Sequence, residues 1–402
     1  MNGGPDSRGW LPCYVSGAVF AVCMAGTTLP TPLYSLYQDG LGFSELTVTV
    51  VYAVYAFGVI GVLLLAGNAS DAVGRRPVLL WGLGCAAVSA VSFLCATTLG
   101  WLFAGRLLSG LSAGLFTGAA TAYVMELAPG KGSPRASFVA TAANMGGLGC
   151  GPLLAGLLAQ YAPWPLHLPF IVHLVLVAAS AALLLGLKET VGERRPLSTV
   201  RPQRPGLPPE VRKVFGPAAL ASFVGFALFG VFTSVSPAFL SEFLDVDNHA
   251  VSGLIVALAF FASVGGQSAV GRIGERRSLS LGCAGLLGGL VLLAAALRWQ
   301  LLPLIVLSAL LGGAGQGLAF RAALSRVAAA SPAGSRAAVI STLFVVAYAG
   351  ISLPVIGVGI LSDHIGLQDA GLVFIACMAV LVTCAGLYLL RRPSRPAAGQ
   401  SP

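Results

Sequence analysis

The chain has 402 residues and a net charge of +9, yet only 9% of its side chains are charged, against roughly 25% in ordinary soluble domains. With 56% apolar residues and so little polar cover, it cannot be an ordinary water-soluble globule, and lipid is the solvent that fits. The placement of the positive charge, in short turns between apolar runs, also excludes a nucleic-acid partner.

Apolar runs of about 20 residues are the unit expected for a ~30 Å hydrocarbon core. Twelve are predicted, at 11–36, 44–66, 77–98, 101–126, 136–160, 165–187, 215–241, 250–271, 278–297, 301–328, 336–361 and 370–390. The first ten residues are short and polar and no small-residue cleavage site follows, so Leu11 onward reads as a retained span. The first run is broken and polar at Thr27-Thr28-Leu-Pro30-Thr31-Pro32-Leu-Tyr34, as a stretch lining a cavity would be.

Between the second and third runs lies Gly67-x-x-x-Asp71-x-x-Gly74-Arg75-Arg76-Pro77, where a carboxylate beside two guanidiniums can pair at a membrane face. Glu126, at the inner end of the fourth run, is the expected acidic partner for Arg75 or Arg76. The fourth run carries Arg106-Leu-Leu-Ser-Gly110-Leu-Ser-Ala-Gly114. An arginine inside a span costs ~2.5–3.5 kcal/mol on insertion scales, so it is expected to face protein or water. The fifth carries Gly147-Leu-Gly-Cys-Gly151-Pro152-Leu-Leu-Ala-Gly156. Proline removes a backbone donor there, and spaced glycines admit a neighbouring helix, so a bent, closely packed hinge is predicted.

Lys188 to Val214 is the longest polar stretch, rich in proline and basic residues, and reads as a cytoplasmic tether without chemistry. It divides the chain into a six-span unit at 1–187, a linker at 188–214 and a second six-span unit with a short tail at 215–402. The halves echo one another near an offset of 200: Gly74-Arg75-Arg76 with Gly274-Glu275-Arg276, Gly110 and Gly114 with Gly313 and Gly317, Gly151-Pro152 with Leu353-Pro354. Such duplication characterises carriers that rock about a central site. In the second copy Gly271 stands where the first has Asp71.

Twelve crossings from a cytoplasmic N-terminus put Arg8, Arg75, Arg76, Lys131, Arg135, the linker cations, Arg272, Arg276, Arg277, Arg321, Arg326, Arg336, Arg391, Arg392 and Arg395 inside. Only Arg298 falls outside, with Asp39, Glu242, Asp245, Asp247, Asp363 and Asp369. This asymmetry predicts a multi-pass cell-membrane protein with both termini cytoplasmic. The eight cysteines lie in apolar runs without a CxxC pair and read as buried small hydrophobes rather than disulfide partners. The four histidines lack ligand spacing, and no GxxxxGK[ST] exists, so neither metal nor nucleotide cofactor is expected.

These motifs resemble the major facilitator superfamily, and within it the twelve-span drug:proton antiporters, over nearly the whole chain. The resemblance implies an all-α integral membrane protein of two pseudo-symmetric six-helix bundles. It implies a latch at Gly67, Asp71, Gly74, Arg75, Arg76 and Glu126, with Asp71 meeting the N-terminal end of span 11 when the carrier faces outward. It assigns Arg106 to proton coupling or cavity organisation, and Gly147, Gly151, Pro152 and Gly156 to a hinge that favours export. Thr27, Thr28, Tyr34, Asn144, Gln267 and Gln316 are candidate cavity residues. Such antiporters often hold a carboxylate inside an early span, whereas here every acid lies at a span end, so coupling is expected from Arg106 with water and Glu45. Neutral, apolar or weakly charged compounds are the expected cargo.

The expected activity is therefore not enzymatic: a monomer binding a small molecule and protons, in a bilayer, and exporting lipophilic compounds. Proton-coupled uptake of a sugar or organic metabolite, and a non-transporting membrane sensor, are the alternatives.

Overall fold

The computed structural model describes residues 7–130, 132–200, 202, 205–244, 247–332 and 334–391. Lys131, Arg201, Arg204, Asp245, Arg392 and Arg395 therefore lie outside the described residues. Every regular element among the described residues is helical, and twelve helices are long and apolar enough to cross a membrane. In chain order these spans are Gly9–Leu41, Glu45–Ala66, Arg75–Leu94, Leu99–Glu126, Pro134–Tyr161, Leu168–Gly186, Arg212–Ser234, His249–Ile273, Glu275–Trp299, Leu302–Ala330, Arg336–Ile365 and Leu367–Arg391. The chain is an all-α integral membrane protein.

Local chemistry sets the span ends. Ser44 caps span 2 by accepting the Thr47 N–H at 3.4 Å, and Asn248 caps span 8 by accepting that of Val251 at 3.1 Å. The turns before spans 3 and 9 pivot on Gly74 and Gly274, at φ of 115° and 87°, a region where a side chain would clash with its own backbone. Span 1 is not continuous. Its helix Ser7–Thr28 gives way at Pro30 to a 3₁₀ turn, Thr31–Leu33, before resuming as Tyr34–Leu41.

Two large buried clusters form the interior, one drawn mostly from residues 19–184 and the other mostly from 211–385. They interpenetrate: Phe226, Phe320, Tyr348 and Ile351 join the first, and Met145 joins the second. Span 2 runs along span 11, and span 5 along span 8. Large apolar side chains such as Phe57, Leu65, Trp81, Val175 and Val291 point outward, as they must where hydrocarbon is the solvent. The cysteines divide the same way. Cys13, Cys23 and Cys283 are buried as expected, whereas Cys95, Cys150, Cys377 and Cys384 are exposed, because an apolar surround rewards outward small hydrophobes equally.

Candidate functional site

A cavity of about 560 Å³ lies between the first and last six spans. At its deep end are Thr27, Thr28, Tyr52, Tyr55, Arg106 and Gln316. At its other end are Gly67, Met125, Ser137, Leu324 and Ala337, close to the ends of spans 2, 4, 5, 10 and 11. It therefore extends to the face that carries the arginine-rich turns. Phe226, Phe229, Phe260, Phe320, Phe344 and Tyr348 supply its apolar wall. The volume suits a drug-sized molecule.

The opposite face is shut by close backbone packing. A Cβ on Gly156 would collide with the carbonyl of His249, one on Gly253 with that of Pro152, and one on Gly359 with the Thr49 hydroxyl. Side chains reinforce the closure. Thr233 Oγ1 donates to the Tyr52 hydroxyl at 2.5 Å, and the His249 N–H donates to Gln160 Oε1 at 2.9 Å.

Pro152 sits inside the helix Gly147–Tyr161, directly after a π-helical turn at Ala142–Gly146. Lacking an N–H, it leaves the Leu148 carbonyl without its helical donor. Thr28 Oγ1 fills that vacancy at 2.7 Å. Gly151 lies against the Ala25 carbonyl and Thr28, and Gly147 against Ala21. The predicted hinge residues thus divide: Gly147 and Gly151 seat span 5 on span 1, while Pro152 and Gly156 seat it on span 8.

Arg106 lies about two turns into span 4 and is 1% exposed. Its Nη1 donates to the Thr27 carbonyl at 2.6 Å and its Nη2 to the Tyr52 carbonyl at 3.5 Å. The guanidinium carbon lies 5.0 Å from the ring centres of both Tyr52 and Tyr55, within cation–π range. Its buried Nε has no hydrogen-bond partner among the described residues. Gln316 Oε1 accepts from Ser263 Oγ at 2.6 Å, and Gln267 Nε2 donates to the same hydroxyl at 3.3 Å. Asn144 lines the cavity from the π-helical turn.

Two candidate cavity residues lie elsewhere. Tyr34 is buried but absent from the cavity wall, because the 3₁₀ turn after Thr28 redirects the chain. Glu45 starts span 2 at the closed face, where its Oε1 accepts from Gln38 Nε2 at 3.0 Å.

At the arginine-rich face, Arg75 is the hub. It pairs with Asp71 at 2.6 Å and with Glu126 at 2.9 Å, and donates to Ser70 Oγ at 2.7 Å. The Asp71 side chain remains 66% exposed rather than set against span 11. Arg76 donates instead to the Leu185 carbonyl at 2.7 Å.

One residue of this cluster escaped sequence reasoning. Glu189, in the stretch read as a plain tether, accepts the backbone N–H groups of Arg75 at 3.0 Å and Arg76 at 3.1 Å, capping span 3. It also accepts those of Thr190 at 2.9 Å and Val191 at 3.2 Å. Burial alone would raise its carboxyl, but the four N–H donors outweigh that and hold it below the usual carboxylate range. Thr190 Oγ1 donates to Glu126 at 2.5 Å, Tyr123 donates to the Lys188 carbonyl at 2.7 Å, and the Arg195 N–H donates to the Ala72 carbonyl at 2.7 Å. Further on, the Gly206 N–H donates to Thr342 Oγ1 at 3.2 Å. The polar stretch is thus fastened at both ends.

The model of the family described as Major Facilitator Superfamily matches residues 16–297. The class C tetracycline resistance protein of Escherichia coli is 32% identical over 306 residues, covering 72% of this chain and 74% of that protein. The puromycin resistance protein of Streptomyces alboniger is 32% identical over 205 residues, which covers 50% of this chain and only 40% of that protein. A bacterial homologue of the human lysosomal transporter Spinster, solved in an inward-facing and unoccupied conformation, superposes with a TM-score of 0.72. It is 15% identical, covers 98% of this chain and 100% of its own, and establishes likeness of fold.

Proposed function

The chain belongs to the Major Facilitator Superfamily, and on that premise we propose that it exports small lipophilic compounds from the cell by alternating access. The observation that carries the reading is the aromatic-walled cavity, reaching the arginine-rich face and closed on the other. By the positive-inside rule the arginine-rich face is cytoplasmic, so the proposed topology crosses the cell membrane with both termini on the cytoplasmic side. A lipophilic molecule then enters from the cytoplasm, and two six-helix bundles rock to expose it outside. The relatives named for tetracycline and puromycin resistance support export. The proposed working unit is a monomer, a reading supported by the described cavity lining coming from one chain.

The Asp71–Arg75–Glu126 cluster fits a latch in its released state. With the cytoplasmic face open, Asp71 is held by its own turn and would reach span 11 only as that face closes. The proposed energy source is the proton-motive force, whose electrical part supplies ~2.3 kcal/mol per charge at 100 mV. Among the described cavity residues there is no carboxylate, and arginine keeps its proton, so Arg106 organises charge rather than carrying the proton itself.

The test pairs a growth-inhibition screen of diverse toxins, in a host stripped of its own pumps, with flux into energised inverted vesicles. Protection together with accumulation inside such vesicles is expected. Loss of compound from preloaded inverted vesicles would mark an uptake carrier instead.

A further inference from the structure

The charge inside the cavity has one sign. Arg106 and Arg321 both line it, while its described lining contains no aspartate or glutamate. Glu126 is adjacent in sequence to the lining residue Met125, but Arg75 and the Thr190 hydroxyl hold it. Glu45 sits beside Gln38 at the closed face. The groups stabilising Arg106 are two carbonyls and two tyrosine rings, none of which carries net charge. A buried cation in low dielectric is costly without a counter-ion, and none faces Arg106 among the described lining residues, so a positive potential is expected there. Arg106 also has donors to spare. A guanidinium offers five N–H groups, the bonds to Thr27 and Tyr52 use its Nη atoms, and the buried Nε has no partner among the described residues.

Arg321 lies about two-thirds along span 10, nearer the open end, and among the described residues its Nη2 donates to the neutral Ser137 hydroxyl at 3.0 Å. The aromatic wall of Phe226, Phe229, Phe260, Phe320 and Tyr348 belongs to the same cavity.

We propose that the cargo is an amphipathic organic anion: a carboxylate, sulfonate or monoester phosphate on an aromatic or aliphatic body. Its acidic group takes the fork of Arg106, its apolar body lies among the phenylalanines, and Arg321 raises the local concentration of anions at the cytoplasmic mouth. This rests on the export reading for its direction and replaces the expectation of neutral or weakly charged cargo with a charged headgroup on an apolar body. A cationic compound would meet two like charges in a low-dielectric space. No chemical step is involved, only transfer of the bound anion.

The test uses the full chain in nanodiscs of zwitterionic lipid, titrated calorimetrically with three probes of one shape. These are naphthalene-2-sulfonate, neutral naphthalene-2-sulfonamide and (2-naphthylmethyl)trimethylammonium. The sulfonate is expected to bind at least about tenfold more tightly than the ammonium, a difference of ~1.4 kcal/mol. Arg106→Gln is expected to remove most of that preference, leaving the smaller part due to Arg321, while sulfonamide binding stays within about threefold, and Arg106→Lys to keep more of it. Arg321→Gln, at a less buried site, is expected to weaken the sulfonate about threefold and serves should Arg106→Gln fail to fold. Equal or tighter binding of the ammonium, unchanged sulfonate affinity in the folded arginine variants, or no sulfonate binding at millimolar concentration would each overturn the proposal. Accumulation of the ammonium probe in inverted vesicles would refute the anion class and leave export standing. Tight sulfonate binding without flux of any compound would refute export and leave the anion site standing.

Discussion

Replacing Glu189 by glutamine asks whether a loop carboxylate holds the start of span 3. The native side chain is 12% exposed and accepts the first two N–H groups of that helix together with two from its own loop. Glutamine keeps one acceptor oxygen but presents an amide NH₂ where the second must be. Hydrogen bonds to charged groups contribute ~1.5–3 kcal/mol against ~0.5–1.5 for neutral ones. An anion at a helix N-terminus adds ~0.3–1 kcal/mol. Loss of charge and of one acceptor should therefore cost about 2–3 kcal/mol.

The pH dependence has a definite sign. The folded carboxyl sits below its ordinary value, so its contribution is present above the unfolded pKa of about 4.3 and is lost as pH falls through the lower folded value. Denaturant unfolding in detergent, followed by circular dichroism at neutral and acid pH, measures both effects. The variant should unfold earlier at pH 7, and the gap should narrow in acid. Coincident midpoints at pH 7, or a gap that persists undiminished in acid, would refute the capping argument.

Three further perturbations probe the carrier itself. Gly253→Val places a side chain against the Pro152 carbonyl and should part the closed face, raising maleimide labelling of Thr49→Cys several-fold; unaltered labelling would show that this seam does not set the conformation. Asp71→Asn keeps size but removes the charge, and should cut flux by about tenfold, ~1.4 kcal/mol, with normal insertion; wild-type flux would dismiss the latch. Pro152→Ala restores an N–H that competes with Thr28 for the Leu148 carbonyl, so it and Thr28→Val should both slow turnover several-fold; wild-type turnover in both would reduce this contact to packing.

The spans were legible because crossing hydrocarbon demands long apolar helices whatever surrounds them. Burial within a span was not. Lipid-facing positions are as apolar as interior ones, so nothing marked Cys150 as exposed or Cys23 as buried. Arg106 stood out because a charge within a span has few tolerable places, and it lies in the cavity. Tyr34 shared its polar neighbourhood with Thr27 and Thr28, yet the turn between them sends it away from the cavity, a rotation that composition does not encode. Glu189 was hidden for another reason: its partners Arg75 and Arg76 lie more than a hundred residues earlier, and an acid in a polar stretch has no periodicity to betray it.

The double fastening of that stretch turns it into a short rope. Between the anchor at Arg195 on the Ala72 carbonyl and the anchor at Gly206 on Thr342 there are about eleven Cα steps, which at 3.3–3.6 Å each cannot exceed ~40 Å. While both knots hold, the mouth can gape no wider than this leash permits. Lengthening the segment with glycine and serine would slacken it without touching any cavity residue, making loop length an independent handle on the carrier's stroke.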